Sequence, residues 1–148
     1  MRSGRFLAVL AVCFMFSFLG SALAQDVANV YFYRISGYTA WDLKPSIYIN
    51  GDRVGRVGND RYFVVKVKPG TYRFHSDRRN VPSVTVEAGK SYYFRAGVSQ
   101  WGNRFHLTEV APDQGNDDIK QLELDSPDHV YHETYPYTEK VSRVPLDK

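Results

Sequence analysis

The 148-residue chain has almost no cysteine: the only one is Cys13, inside an N-terminal apolar run rather than in the body of the protein. A chain that loses this run on export keeps no disulfide, no thiol nucleophile and no thiolate metal ligand, so core packing alone must hold it together. The short catalytic signatures are missing as well. There is no G-x-S-x-G elbow, no H-E-x-x-H, no glycine-rich phosphate loop and no dinucleotide fingerprint, so several enzyme classes lack their minimum residues. A strong charge of one sign is also absent. The formal charge is +3 and falls to +1 once Arg2 and Arg5 leave with the N-terminal run, which gives no general pull toward nucleic acid.

The N-terminal run itself reads as an export signal. Arg2 and Arg5 supply the positive region, Phe6 to Leu19 is apolar except for Ser17, and Ala22-Leu23-Ala24 is a small-x-small cleavage pattern. The apolar stretch is shorter than the roughly 20 residues of a membrane-spanning helix. The sequence therefore predicts a signal peptide over residues 1–24, cleavage before Gln25, and a periplasmic or extracellular product with no stable membrane span. Cys13 follows Val12 and is itself followed by more apolar residues, which is not the small-residue context of a lipidation site.

The rest is rich in aromatics, with 11 Tyr and 9 Phe, a composition that favours strands. Period-2 alternation runs through Ser46–Ile49, Tyr62–Val67, Thr71–Ser76, Lys90–Val98 and Arg104–Val110. Ala28–Ile35, Arg53–Val57 and the Val84–Val86 stretch complete the set. Asn50-Gly51 and Pro69-Gly70 are hairpin and turn signals. These features predict an all-β fold, a small antiparallel β-sandwich of about 7–8 strands over residues 25–125. Phe63, Val65, Val67, Tyr72, Phe74, Val84, Val86, Tyr92, Phe94, Phe105 and Leu107 are expected to share one core. One short C-terminal helix is expected between Ala111 and Leu124, capped by Asn116 with Ile119 and Leu122 on its apolar face. Residues 126–148, with prolines among charges and tyrosines, are expected to form an extended tail.

Pro45-Ser46-Ile47-Tyr48-Ile49-Asn50-Gly51, Val54-Gly55 and Val67-Lys68-Pro69-Gly70-Thr71-Tyr72 together resemble the PEGA-type repeat, a small β-sandwich unit of bacterial surface proteins. The opening strand Ala28–Arg34 and Gly89-Lys90-Ser91-Tyr92-Tyr93 are similar to an exported bacterial family of domains of unknown function, number 2846. The resemblance spans residues 28–124 and implies a PEGA-like β-sandwich. The family brings no assigned catalytic residues. Many of its members look like lipoproteins, from which this leader departs.

If successive strands run antiparallel, the turns at Gly51, Gly70 and Gly89 fall at one end and the longer connections at the other. Those longer connections carry Trp41, Arg61, Arg78, Arg79, Trp101 and Arg104. Loops gathered at one end of a sandwich are where binding sites are built, and tryptophan and arginine are the residues enriched at binding hot spots. These six are the candidate ligand-binding residues; the bland alternative for the tryptophans is that they plug the core. The expected function is a non-enzymatic module that binds, or attaches structurally, at the bacterial cell envelope, with an envelope protein or glycan as partner and no cofactor. The competing expectation is an envelope hydrolase with a carboxylate site at the looped end; Asp60, Asp77 and Glu87 are the carboxylates that could supply a pair for glycoside chemistry. His129-x-x-His132 has metal-ligand residue types but reads as part of the solvated tail, and His75 and His106 as exposed or half-exposed sheet residues. N-terminal sequencing of the exported protein should begin at Gln25; an intact Met1, or lipid on Cys13, contradicts the leader assignment.

Overall fold

The computed structural model describes residues 26–37, 42–77, 79–99 and 104–136. In chain order the strands are β1 (Ala28–Arg34), β2 (Ser46–Ile49), β3 (Asp52–Arg56), β4 (Arg61–Val67), β5 (Gly70–Tyr72), β6 (Phe74–His75), β7 (Val84–Val86), β8 (Ser91–Val98) and β9 (Phe105–Val110). Helix α1 (Pro112–Ile119) follows, then β10 (Glu123–Leu124), a 3-10 turn at Pro127–His129 and β11 (Thr134–Tyr135). The all-β class with one helix is what the alternation predicts. The sheet arrangement is more mixed than the expected antiparallel sandwich. A six-stranded sheet runs β10-β4-β1-β8-β9, with β11 also on β4, beside a three-stranded sheet β3-β2-β6 and a pair β5-β7.

The mixed character comes from β1, which pairs antiparallel with β4 and parallel with β8. Both faces of β1 carry large side chains, as expected of a central strand covered on both sides. Val30 and Phe32 face the small sheets, and Tyr31 and Tyr33 face the helix. The register places Phe63, Phe32 and Phe94 side by side across β4, β1 and β8, with ring centroids 5.3 and 5.8 Å apart. From the opposing layer, Phe74 meets Phe94 at 4.7 Å and Phe32 at 6.0 Å. Ile47, Ile49, Val54, Val57, Tyr72 and Val86 close this core from the small sheets and their loops. Of the residues expected in the core, Val84, Tyr92 and Leu107 pack at its margin, and Phe105 is buried outside the main cluster.

Two local rules shape the edges. The β2–β3 hairpin turns through Asn50 and Gly51, both with positive φ (53° and 95°), the conformation the Asn-Gly pair favours in a two-residue turn. The chain then changes sheets at Arg73, whose backbone bonds Asn50 rather than continuing β5. The expected single strand Thr71–Ser76 is therefore two short ones.

The helix starts at Pro112, four residues before the expected cap at Asn116, because proline both ends β9 and suits the first helical turn. Gly115 is its buried residue: a Cβ there would lie 2.3 Å from Tyr93 Cγ. Ile119 and Leu122 pack on Tyr33, Tyr93 and Val110, and the Tyr33 hydroxyl donates to Asp118 at 2.6 Å. Burial first, then the bond to and charge of Asp118, push the Tyr33 phenol far above its usual range. Because folding raises that pKa, the stability it contributes is complete below the unfolded value of about 10 and is lost as the solution becomes more alkaline.

Residues 126–136, expected as the start of a tail, are instead fastened to the sheets. β10 and β11 lie parallel to β4, Val130 bridges Gly55, and Tyr135 is buried with its hydroxyl on Asp52 at 3.0 Å. The prolines misled because Pro127 opens a short turn and Pro136 follows the strand, so neither interrupts a ladder. Residues 137–148 lie outside the described residues. No helix among the described residues is long and apolar enough to cross a membrane.

Phe74→Ala should cost about 3–5 kcal/mol in urea denaturation. Gly115→Ala, which would gain roughly 1 kcal/mol in an exposed helix, should here destabilise by about 1–3 kcal/mol through overpacking on Tyr93. A stabilising Gly115→Ala would mean that α1 does not seat on β8.

Candidate binding site

The strand directions gather the long connections at one end, as the alternation predicts. The pair Arg34 and Arg61 and the pair Val98 and Phe105 mark this end, and Asp77 joins it by accepting the Phe105 N–H at 2.8 Å. Gly89 and Lys90 lie at the opposite end, bonded to Val27 and Asn29.

A cavity of about 690 Å³ opens at the looped end. Among the described residues it is lined by Asp77, Ser99, Arg104, Phe105 and His106. Arg104 is exposed, and no carboxylate among the described residues lies within ion-pair distance of it. His106 packs across β8 and β9, its ring filling the space a side chain would take at Gly97. Behind the cavity, the Arg34 guanidinium lies 5.4 Å from the Phe105 ring centre. Arg34 is only 2% exposed and donates to the Leu43 carbonyl at 2.5 Å. Desolvation lowers its pKa, opposed by Asp42 and Asp60, yet a guanidinium stays charged at physiological pH. It is thus a fixed positive charge behind the cavity wall, and it ties the loop after β1 to the start of β9.

A second polar cluster pins the same end. Asp125 is buried and accepts the Gly58 N–H at 2.6 Å and the Ser126 N–H at 2.8 Å. His129 Nδ1 meets its other lone pairs at 2.5 Å, and His129 Nε2 lies 2.9 Å from Lys44 Nζ. One tautomer satisfies both contacts: Nδ1–H donates to the carboxylate, and Nε2 accepts from the ammonium. Three separate stretches of chain, at residues 44, 58 and 125–129, are joined by this clamp.

Of the six sequence-predicted residues, Arg104 lines the cavity and Arg61 stands at the same end. Arg61 is committed to Glu123 of β10 by an ion pair, and Arg79 is exposed beyond Asp77. Trp41, Arg78 and Trp101 lie outside the described residues. The carboxylates considered for hydrolysis each have their own partner. Asp60 accepts the Ser36 N–H, Asp77 holds Phe105, and Glu87 pairs with Lys90 at the opposite end.

The histidine assignments need two corrections. His75 is buried, not exposed, because it stacks on Tyr48 at 5.1 Å with Nδ1 on the Ser76 carbonyl. His129 is half-buried in the Asp125 clamp, whereas the His132 N–H bonds Val54 and burial lowers its side-chain pKa. No group of three metal-ligating side chains occurs among the described residues. Arg34 was missed although a signal existed: it falls in phase with Val30 and Phe32, a charge on the core face of a strand. Asp125 offered none, since its partner Gly58 lies 67 positions away.

A family model described as "Protein of unknown function (DUF2846)" matches residues 24–111, more than half of the chain and everything from β1 through β9. No curated protein and no solved structure matches the chain.

Asp125→Ala strands backbone donors at a cost of about 1–3 kcal/mol for each buried one. Urea denaturation should show a loss well above that of Asp113→Ala on the exposed helix surface, where about 0.5 kcal/mol or less is expected. Equal losses would remove the clamp from this account.

Proposed function

This chain belongs to the family of proteins of unknown function DUF2846, and we propose that it is an exported, non-enzymatic module that binds an anionic, partly apolar partner at the cell envelope. The observation that carries this reading is the 690 Å³ cavity at the looped end, with Arg104 at its rim and Phe105 in its wall. Arginine offers a forked set of donors suited to carboxylate or phosphate groups, and the phenylalanine ring offers flat apolar contact. The buried Arg34 guanidinium lies behind Phe105, with the Asp42 and Asp60 charges acting on it. Tight turns close a strand end with less ordered chain than the connections at this end need. The longer loops therefore favour a use beyond folding, and by sequence Trp41 and Trp101 belong to them. An envelope protein or an acidic glycan fits these features, and the leader over residues 1–24 delivers the module to the compartment where either is met.

The test is site-specific photo-cross-linking in the producing cells. A benzophenone side chain replacing His106 should capture partner material, and the same side chain replacing Glu87 at the opposite end should not. Adding Arg104→Ala should abolish capture from position 106 while leaving the melting temperature within about 2 °C, as for an ordinary surface substitution. Equal capture from both ends, or capture unaffected by Arg104→Ala, overturns the proposal.

A further inference from the structure

An irregularity in the small sheet builds a second charged site, from none of the residues that line the looped-end cavity. Residues directly opposite in an antiparallel pair share a face. Ile47 and Ile49 point into the core, so Ser46 and Tyr48 lie on the outer face of β2. Arg56 and Arg53, their partners on β3, lie there with them. On a regular strand, side chains three positions apart would take opposite faces. Here the register shifts between Ile47 and Tyr48, and Val54, the extra residue, is buried in the core, so both arginines emerge on one side. Residues 130–132 run along the outer edge of β3. Val130 bridges Gly55 and packs against the core. The N–H groups of Tyr131 and His132 both bond the Val54 carbonyl, at 2.9 and 3.3 Å. Tyr131 is thereby brought to the arginines: the guanidinium carbons of Arg53 and Arg56 lie 5.1 and 5.9 Å from its ring centre.

We propose that Arg53 and Arg56 together hold a phosphate group beside Tyr131. The site is additional to the looped-end cavity and does not depend on it. The ring holds both side chains through their charge but gives their N–H groups no oxygen or nitrogen acceptor. Neither guanidinium forms an ion pair among the described residues. The acids adjacent in sequence are otherwise placed. Asp52 pairs with Ile49 on the core face of β3, and its carboxylate accepts the Tyr135 hydroxyl. Asp128 and Glu133 are exposed and form no ion pair with either arginine. Arg56 is half-buried, and its Nε is shut off from solvent with no hydrogen-bond partner among the described residues. That is a costly state for a charged donor, and it leaves the terminal nitrogens as the donors that reach a ligand. Two like charges gathered at one ring favour a ligand with two negative charges. A phosphate monoester supplies them on three oxygens. Those oxygens point in different directions and accept from two arginines, where a planar carboxylate matches a single fork.

The experiment uses the purified protein in two arms, at mildly alkaline pH to favour the phosphate dianion. One arm titrates inorganic phosphate by calorimetry. The other measures binding to phosphatidylcholine vesicles with and without phosphatidic acid. Inorganic phosphate should bind with a Kd of about 1 mM or tighter, and acetate at least about tenfold more weakly. In NMR spectra the guanidinium resonances of Arg53 and Arg56 should move with the bound phosphate, and those of the exposed Arg95 on β8 should not. The backbone amides of Tyr131 and His132, already bonded to Val54, should be little affected. Arg53→Gln and Arg56→Gln should each weaken binding at least about tenfold. The Arg53 side chain is exposed, so its variant should keep the melting temperature within about 2 °C. If Arg56→Gln does not fold, Arg53→Gln and the resonances of the unaltered protein carry the test. Binding of inorganic phosphate identifies a soluble phosphate as sufficient. Binding to phosphatidic acid vesicles alone, lost in Arg53→Gln, identifies a lipid headgroup; either result supports the proposal. No arginine-dependent binding in either arm, acetate held as tightly as phosphate, or unmoved Arg53 and Arg56 resonances at saturation overturns it. The two arginines then serve only to fasten residues 130–132 to β3.

Discussion

Everything in this chain is arranged around β1, and above all around Phe32. The strand is held on four sides: β4 antiparallel on one edge, β8 parallel on the other, the small sheets over one face and α1 over the other. Phe32 touches the rings of Phe63, Phe94 and Phe74, so one side chain couples three strands of the large sheet to the layer above it. With a single cysteine the chain can form no internal disulfide, and such aromatic burial replaces a covalent staple; each phenylalanine taken out of water contributes about 1.5–3 kcal/mol. The other face works differently. Tyr33 buries its ring and hands its hydroxyl to Asp118, and Tyr93 leaves room only for a glycine in the helix above.

The same strand places the looped end. β1 finishes at Arg34, whose guanidinium is buried between the Leu43 carbonyl and the Phe105 ring, so the strand's end is tied to Leu43 and to the edge strand two positions across. Asp125 repeats the device on the other side of the sheet, fastening Gly58, Ser126 and His129. Buried charged groups are costly unless well bonded, and here they lie at the end that carries the cavity while the opposite end is closed by tight turns.

Much of this was legible in the residues. Alternation located most strands and most of the core, and Asn50-Gly51 gave its turn. The strand count also divided the long connections from the tight turns correctly. What alternation does not carry is pairing. Nothing local to Ala28–Arg34 says that its parallel neighbour begins at Ser91, although large side chains on both faces mark it as a central strand. The C-terminal stretch was misjudged because its prolines flank its short strands instead of breaking them, and because Tyr135 is buried through contacts with Asp52 and Tyr72, 83 and 63 positions earlier. The place of Arg104 at the looped end follows from its loop, while Arg34 and Asp125 act through long-range contacts that single-strand patterns do not encode.

The central claim is that the looped end, and not the turn end, meets the partner. Hydrogen–deuterium exchange of the purified protein, with and without solubilised envelope material from the producing cells, tests it most directly. The account predicts slowed exchange confined to residues 76–77 and 104–109, with the turns at Gly51, Gly70 and Gly89 unchanged. Protection concentrated at those three turns, with residues 104–109 unaffected, would contradict it.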